Sequence, residues 1–446
     1  MNLSHAFLPV ALMLAASPLV AHAERGFEVR DMAAMDRYSA PTLSPDGRKL
    51  VFAKRVVDFA ANKSSTSLWI EDLLARDAAP PARLTPEGWN VNSPAFSNDG
   101  KSVYFLSAKS GSMQLYAIPV AGGAPTQLTD FSTDIGSYKL SPDGSRLAFS
   151  TEAFAECKSD FSCNLKKLKE RQDSKSTGLV FDRMFIRHWD SWNDGRLNRV
   201  FVAPLGDGKA QLKAATLVGA DVLGDVPSKP FGDDSEYSWA PDGKSLVLSA
   251  RKADREEPWS TNFDLFQVSA DGTGAAKNLT AANKAWDTGP VFSSDGGTLY
   301  YRAMKRSGFE ADRFALMAMD LGTGKTREIA AKWDASADGI TLSDDGTTIY
   351  TTAQELGQHP LFSVSIEGGN VSQVVGGGSV SAFDIAGPTL AYAQNSLKSG
   401  DQLFTGALGG GAAASAARAI TPSAGEMLED VAFGDYEQFD FIGWNN

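Results

Sequence analysis

Short apolar runs typical of β-strands alternate with polar turns along nearly the whole chain. Lys49-Leu50-Val51-Phe52-Ala53 and Leu147-Ala148-Phe149-Ser150 are two such runs, and each closely follows a turn of related sequence. The related turns are Ser44-Pro45-Asp46-Gly47, Ser97-Asn98-Asp99-Gly100, Ser141-Pro142-Asp143-Gly144, Ala240-Pro241-Asp242-Gly243, Ser293-Ser294-Asp295-Gly296, Ser343-Asp344-Asp345-Gly346 and a degenerate copy, Asp384-Ile385-Ala386-Gly387. Because Pro presets φ, Asp can bond its own backbone and Gly adopts a positive φ, each turn predicts a tight β-hairpin.

A second, independent pattern repeats in step with the turns and predicts a third strand after each hairpin. Its copies are Leu68-Trp69-Ile70, Leu115-Tyr116-Ala117, Val200-Phe201-Val202, Leu265-Phe266-Gln267, Leu316-Met317-Ala318, Leu361-Phe362-Ser363 and Leu403-Phe404-Thr405. Several lead through a Gly-rich turn to a Leu-Thr pair, as at Leu84-Thr85. Together the two patterns predict an all-β fold, a seven-bladed β-propeller of four-stranded antiparallel blades. The regular spacing of both signals disfavours the alternative, a long β-sandwich.

One interval between turns, from Asp143 to Asp242, is about twice the usual length. It contains a single third-strand run, so it predicts one blade, the third, with a large insertion. We place this insertion at roughly Ala155 to Gly178 and predict an inserted helical segment over its charged run, Lys166 to Lys175. A tryptophan-rich stretch follows, and insertions in repeat proteins form loops on one face, often the binding face.

The net charge of the chain bears on which class of partner it can bind. The formal net charge is −12 and the isoelectric point is about 4.9. Nucleic-acid-binding proteins carry basic patches for the phosphate backbone, so these values argue against a nucleic-acid partner. They do not specify a substrate.

The first residues have the pattern of a secretory signal. Ala6 to Val20 is apolar but short for a membrane span, and Ala21-His22-Ala23 fits a small-x-small cleavage site, although Lys and Arg are missing before the apolar run. We expect a signal peptide at 1–23 and an exported, periplasmic protein that begins at Glu24. No later stretch predicts a membrane span in the mature chain.

Two cysteines occur, Cys157 and Cys163. In an oxidising compartment their spacing suits one short-loop disulfide, and the alternative is a pair of free thiols. Two sulfur ligands without a nearby His are too few for a metal site. We therefore expect neither a metal nor a cofactor.

The sequence contains no motif for a self-contained catalytic site. The Gly-x-Ser-x-Gly pattern that exposes the nucleophile of an α/β-hydrolase is missing, and only His188 and His359 follow the signal. His359-Pro360 precedes a strand and is interpreted as structural. Gly322-Thr323-Gly324-Lys325-Thr326 resembles a phosphate-binding loop, but no helix follows it, so it predicts a hairpin.

A loop of the fourth blade, Arg251 to Phe263, is irregular and contains Glu256-Glu257-Pro258-Trp259-Ser260-Thr261-Asn262. Two adjacent carboxylates beside a tryptophan can bind the ammonium group of a ligand. The alternative is a solvated acidic loop in which Pro258 only breaks the strand. Charge and spacing alone leave both interpretations open.

Several segments resemble the propeller of secreted bacterial peptidases of the prolyl oligopeptidase family, most closely its dipeptidyl-peptidase 5 and acylaminoacyl-peptidase-like branch. They are Arg187-His188-Trp189-Asp190-Ser191-Trp192, Glu256 to Asn262, Asn283-Lys284-Ala285-Trp286-Asp287, Phe309-Glu310-Ala311-Asp312-Arg313 and the tail Phe439-Asp440-Phe441-Ile442-Gly443-Trp444-Asn445-Asn446. The resemblance covers about Asp31 to Asn446. It implies a propeller at 24–435 and, at 436–446, the start of a linker to an α/β-hydrolase domain that this sequence lacks.

The resemblance also implies a role for the loop of the fourth blade. Dipeptidyl-peptidases of this kind hold the amino terminus of the substrate with propeller carboxylates, so Glu256 and Glu257 are expected to bind it. Trp259 and Asn262 are expected to line the substrate pocket, Trp259 as a wall and Asn262 as an amide donor to the peptide backbone. The expected partners are short peptides and the absent hydrolase domain.

Two hypotheses on function remain. In the first, the chain is the substrate-gating propeller of an exported serine exopeptidase, catalytically inert by itself. In the second, it is a periplasmic propeller of the TolB kind that binds other proteins. The long insertion, the tryptophan-rich loops and the linker-like tail favour the first.

Overall fold

The computed structural model describes residues 25–75, 80–131, 133–178, 180–181, 184–206, 208–252, 255–409 and 417–446. The predicted signal peptide, 1–23, lies outside these residues. The side chain of His188 is not described either.

Seven antiparallel sheets form the blades of a propeller. Six of them are built from strands consecutive in the chain, and in blade 3 a separate short hairpin lies between the second and third strands. The strands of blades 1 to 7 are, in order, Arg37–Leu43, Lys49–Asp58, Lys63–Asp72 and Ala82–Arg83; Val91–Phe96, Ser102–Ser107, Gln114–Pro119 and Thr126–Gln127; Ser137–Leu140, Arg146–Phe154, Arg196–Gly206, Lys209–Ala210 and Thr216–Leu217; Tyr237–Trp239, Ser245–Arg251, Phe263–Ser269 and Lys277–Asn278; Asp287–Phe292, Thr298–Ala303, Ala315–Asp320 and Thr326–Ile329; Thr341–Leu342, Thr348–Thr352, Leu361–Ser365 and Val371–Val375; Ser379–Ala386, Thr389–Ser396, Ser399–Ala407 and Arg418–Ala419. In blade 3 two short strands share the outer position, and both pair with Arg196–Gly206. The predicted seven-bladed propeller is confirmed.

The remaining elements are short and lie between or beside the blades. The α-helices are Val29–Ala34, Phe161–Asp173 and Ala424–Met427, and the 3-10 helices are Ala155–Cys157, Leu212–Ala214, Asp234–Glu236 and Glu257–Trp259. A hairpin pairs Arg187–His188 with Ser191–Trp192, and Arg25–Gly26 pairs in parallel with Val431–Ala432.

The Asp-Gly turns join the first and second strands of blades 1 to 6. In five of them a Ser hydroxyl donates to the Asp carboxylate at 2.6 or 2.7 Å. This bond is the main reason why the pKa of each of these Asp carboxyls lies below its ordinary value. The same Ser oxygen accepts the N–H five residues later, at 2.9 or 3.0 Å. Blade 4 lacks these bonds, because Ala240 replaces the Ser.

The seventh turn differs from its prediction. The blade 7 hairpin turns after Ala386, and Asp384 lies inside the first strand instead of in the turn. Its carboxylate accepts from the backbone N–H of Leu43 in blade 1, at 2.7 Å, and from that of Ile385, at 2.9 Å. Asp384 therefore joins two blades, and burial raises its pKa.

Neighbouring Asp-Gly turns contact each other around the ring, which places them on one face of the disc, the turn face. Asn98 of blade 2 donates to the Pro142 carbonyl of blade 3 at 2.8 Å, and Gly387 of blade 7 donates to Asp344 of blade 6 at 3.1 Å. Gly47 of blade 1 lies against Thr389 of blade 7.

The opposite face, the loop face, follows from the strand directions. Strands alternate in direction within a blade, so the loops between second and third strands all lie there. These loops are 59–62, 108–113, 155–195, 252–262, 304–314, 353–360 and 397–398. The first strand of blade 1 begins at this face and the last strand of blade 7 ends there. The blade 3 insertion, the blade 4 loop and both ends of the propeller therefore share one face.

Apolar side chains fill the spaces between neighbouring blades. Leu106 and Leu115 of blade 2 pack with Leu147, Phe149 and Phe201 of blade 3. Phe161, at the start of the inserted helix, packs on this cluster, with its ring 5.0 Å from that of Phe201. The insertion is thereby anchored to the core of blade 3.

Candidate functional site

The blade 4 loop lies on the loop face, between the strands Ser245–Arg251 and Phe263–Ser269. Glu256 precedes a 3-10 turn, Glu257–Trp259, in which Pro258 presets the backbone. Glu256 is exposed, Glu257 is partly buried, and Trp259 is 76% exposed. The structure thus presents the two glutamates and the tryptophan together at the surface of this face.

Neighbouring elements fix the base of this loop. Arg251 Nη1 donates to the Ser260 carbonyl at 3.3 Å, and the guanidinium lies 4.9 Å from the ring centre of Phe263. Thr261 Oγ1 accepts from the backbone N–H of Gly308, in the blade 5 loop, at 2.9 Å. The loops of blades 4 and 5 are therefore joined beneath the glutamates.

Asn262 lies under the loop and not on its surface. It is 4% exposed, and its backbone oxygen accepts from Lys252 N at 2.9 Å. An amide contact between Asn262 and a peptide therefore requires the loop to move. The sequence pattern placed Asn262 with the other three residues but gave no sign of its burial.

Sequence reasoning missed a concentration of unpaired polar atoms beneath this loop. Among the described residues, five buried side-chain atoms have no hydrogen-bond partner, and all lie near the loop face of blades 4 and 5: Asn262 Oδ1, Asp264 Oδ1, Trp286 Nε1, Asp287 Oδ2 and Arg302 Nε. Buried polar atoms are almost always paired, so such a concentration marks a specialised region of a fold. Single residues in the sequence carry no signal of it, because it arises where two blades meet.

Asp287 illustrates the electrostatics of this region. Asn283 Nδ2 donates to its Oδ1 at 2.9 Å, while Asn278 Nδ2 donates to Asp264 Oδ2 at 2.7 Å. Burial raises the pKa of Asp287 to about 7, and the Asp264 carboxylate contributes in the same direction. One carboxyl below the loop therefore changes charge near neutral pH.

Aromatic side chains of the blade 3 loop, 155–195, and of the connection to blade 4 lie on the same face. The Trp189 ring is 5.1 Å from that of Phe231, which belongs to the connection between blades 3 and 4. Glu236 accepts from Ser228 N and Ser228 Oγ, both at 2.6 Å, and so fixes the loop that carries Phe231. Two exposed rings thus lie together on this face, and hydrogen bonds hold the loop that carries one of them.

The insertion contains the two cysteines and a helix. The structure joins Cys157 to Cys163 in a disulfide, with a Cα–Cα distance of 5.5 Å. The helix spans Phe161–Asp173, earlier than the charged run suggested, because the Asp160 carboxylate caps it by accepting from Ser162 N and Cys163 N.

His359 has partners that agree with its structural interpretation. Its Nε2 lies 2.5 Å from Asp338 Oδ2 and its Nδ1 lies 2.8 Å from the Val380 carbonyl oxygen. The contact with Val380 joins blade 6 to blade 7, and the contact with Asp338 holds the segment that enters blade 6. Within the described ranges, no three His, Cys, Asp or Glu side chains form a metal-binding group, and no helix there is long and apolar enough to span a membrane.

The repeat and the seven four-stranded sheets define a β-propeller. A family model described as the TolB beta propeller domain matches residues 28–177. The chain is a homologue of dipeptidyl-peptidase 5. It is 28% identical to that protein from Porphyromonas gingivalis over 372 residues, which cover 83% of this chain and 52% of the relative. The chain thus spans about half the length of the curated relatives it matches.

Solved structures show the same fold. An acylaminoacyl peptidase from Pyrococcus horikoshii superposes with a TM-score of 0.67 at 15% identity, covering 92% of this chain and 56% of that one. The β-propeller domain of the Trilobed protease from Pyrococcus furiosus has a TM-score of 0.58 at 14% identity, covering 87% of this chain and 97% of that domain. These identities establish the propeller architecture alone.

Proposed function

We propose that this chain is the substrate-gating propeller of an exported dipeptidyl-peptidase-like serine peptidase that acts on short peptides. The homology to dipeptidyl-peptidase 5 supports the class. In this proposal the loop face covers a catalytic α/β-hydrolase domain, and the propeller restricts access to it. The chain by itself is catalytically inert.

The unequal exposure of apolar side chains on the two faces carries this proposal. Six of the seven loops between second and third strands hold an exposed large apolar residue, namely Phe59, Trp189, Trp259, Phe309, Leu356 and Leu397. The helix that precedes blade 1 on this face adds Val29. In the described part of the turn face the exposed large apolar residue is Leu74, just beyond the third strand of blade 1.

This asymmetry has a physical meaning. Single exposed apolar side chains are normal on a protein surface, but their concentration on one face and near absence from the other favours a face that contacts another protein or domain. A ring of such residues around one face matches a partner that covers the whole disc. Both ends of the propeller lie at that face, which suits a partner joined to it by the chain.

Within this arrangement, Glu256 and Glu257 are proposed to bind the cationic amino terminus of the peptide, with Trp259 beside it. A carboxylate and an ammonium form charge-assisted hydrogen bonds, which are stronger when water is excluded. Covering the loop face by a second domain would exclude water from these exposed side chains.

The test joins this propeller to the hydrolase half of a dipeptidyl-peptidase 5 relative and compares Glu256→Gln and Glu257→Gln with the unchanged fusion. Each substitution should raise KM for dipeptidyl substrates with a free amino terminus by roughly tenfold, the loss of one sheltered charge-assisted bond. Amino-blocked substrates should change little.

Glu310→Gln, an exposed glutamate of the neighbouring blade 5 loop, is the matched control and should leave both KM values unaltered. An equal rise in KM for free and amino-blocked substrates would show that the glutamates do not bind the amino terminus and form only a solvated acidic loop. A fusion that cleaves large unfolded proteins as fast as short peptides would refute gating.

The match to the TolB beta propeller domain favours a second candidate, a periplasmic protein-binding module. Such a module would use the apolar ring to bind a separate protein. If the propeller without any hydrolase domain forms stable complexes with a separate protein, that result would favour this alternative.

A further inference from the structure

The junction between blades 1 and 7 differs from the other six, because the chain itself does not connect these two blades. Blade 1 begins at Arg37 and blade 7 ends at Ala419. Side-chain contacts close this junction instead. Apolar residues of both blades share one cluster, and Arg418 Nη1 lies 3.4 Å from Glu71 Oε1.

Residues 25–35 cross this junction on the loop face. The helix Val29–Ala34 lies beside the second strand of blade 1, and the Arg30 guanidinium is 4.8 Å from the ring centre of Phe59. At the end of the segment, the Met35 methyl group lies against Gly400 of blade 7, 3.7 Å from where a Cβ would stand. One short segment thus contacts both blades.

Arg25 joins this segment to the chain that follows blade 7. Its Nη1 and Nη2 donate to the two carboxylate oxygens of Asp31 at 2.6 and 2.8 Å, and its Nε donates to Asp430 Oδ2 at 2.7 Å. Its backbone N–H donates to the Asp430 carbonyl at 2.9 Å. The rings of Phe27 and Phe433 lie 5.3 Å apart beside this contact.

We infer that residues 25–35 form a clamp, closed by Arg25, that holds blades 1 and 7 together and fixes the course of residues 428–435 as they leave the propeller. Bidentate guanidinium–carboxylate pairs are stronger and more directional than ordinary surface ion pairs. The Asp31 side chain is only 10% exposed, so its pair with Arg25 is better shielded than most surface pairs. Asp31 also accepts from Glu28 N, which ties the pair to the start of the helix.

The clamp stands on these contacts alone and does not require the proposed function. A consequence does rest on that function: the clamp would set the position from which a catalytic domain extends over the loop face. Arg25 would then be a positioning residue and not a catalytic one.

Hydrogen–deuterium exchange on the chain as it exists tests the clamp. Arg25→Gln should speed amide exchange by about tenfold in residues 428–435 and in the first strands of blades 1 and 7, because three charge-assisted bonds are lost. Blades 3 to 5 should keep their exchange rates. Asp430→Asn, which leaves the Asp31 pair intact, should have a smaller effect at the same places.

Arg48→Gln is the matched control, because Arg48 is 66% exposed on the turn face and its Asp46 contact is long, 3.8 Å. It should change none of these rates. The double variant Arg25→Gln/Asp430→Asn should exchange like Arg25→Gln alone, because Arg25→Gln already removes the bond to Asp430. Unchanged exchange in Arg25→Gln, or acceleration spread evenly over all seven blades, would overturn the clamp. Since no catalytic domain takes part, this outcome is independent of the proposed function.

Discussion

Single residues acquire their chemistry from the way blades meet. Asp287 begins the first strand of blade 5, and its side chain is covered by blade 4, so that it is 1% exposed. Ser249 of blade 4 donates to its backbone carbonyl at 2.9 Å. The burial that raises its pKa to about 7 therefore depends on residues nearly forty positions away in sequence.

This pKa predicts how stability depends on pH. The folded-state pKa of about 7 lies above the ordinary value near 3.9. The native state therefore binds the proton more tightly, and Asp287 favours folding at low pH and opposes it as pH rises from about 4 to about 7. Over that range the free energy of unfolding should fall by a few kcal/mol at most, relative to a variant without the group.

Thermal unfolding of Asp287→Asn and the unchanged protein from pH 4 to pH 8 measures this effect. The difference in Tm, variant minus unchanged protein, should increase with pH up to about pH 7 and then remain constant. Asp295→Asn, in an exposed turn, should show no such rise. A constant difference in Tm across the range would contradict the burial of a titrating Asp287.

At the scale of elements, the Asp-Gly turn is the unit that the sequence specifies most fully. Ser, Asp and Gly each have a separate task in it: the hydroxyl joins the carboxylate to the next strand, the carboxylate accepts from the backbone, and Gly takes φ near 66° to 71°. Local chemistry of this kind does not depend on distant residues, which is why six turns could be located from sequence. The prediction of the seventh turn was wrong because the Asp384 carboxylate accepts from Leu43 N of blade 1. Blade 1 becomes its neighbour only when the ring closes.

The turns of blades 3 and 4 form a natural pair for a stability test. Ser141→Ala removes the hydroxyl that donates to Asp143 at 2.6 Å and accepts from Arg146 N at 2.9 Å. It should lower the free energy of unfolding by about 1 to 2 kcal/mol, because a backbone N–H loses its partner.

The reverse change, Ala240→Ser, has the same backbone geometry available, since Gly243 N donates to the Ala240 carbonyl at 2.8 Å as Gly144 N does to Ser141. It should leave stability unchanged or slightly higher. Denaturant unfolding of both variants measures these changes in stability. An equal loss of unfolding free energy in both would show that the Ser hydroxyl does not stabilise the turn.

At the scale of the whole molecule, the repeat predicted the blade count and the insertion, because both depend on spacing along the chain. It also predicted the loop that carries Glu256, Glu257 and Trp259, which the structure places on the face shared by both ends of the propeller. The burial of Asn262, the unpaired atoms near Asp264 and the clamp at Arg25 were not predictable. Each arises from contacts between segments far apart in sequence, where no local pattern records which side chains meet.

The whole chain is expected to be exported and inactive as an enzyme. Protein recovered from the periplasm should begin at Glu24, as the cleavage pattern predicts. The same preparation should hydrolyse no dipeptidyl or acyl-aminoacyl substrate and should not react with a fluorophosphonate probe, since a serine peptidase needs a positioned nucleophile and base. An intact amino terminus would disprove export by this signal, and labelling of one Ser at full stoichiometry would disprove inactivity.

The parallel pairing of Arg25–Gly26 with Val431–Ala432 also bears on how such a propeller can be transplanted. Its two ends lie side by side, separated by one interstrand spacing of about 4.8 Å. A host protein could therefore receive the entire disc within a single surface loop, with little disturbance to its own backbone. Equally, joining these ends and cutting the chain at an exposed Asp-Gly turn would give a circular permutant whose new termini emerge on the opposite face.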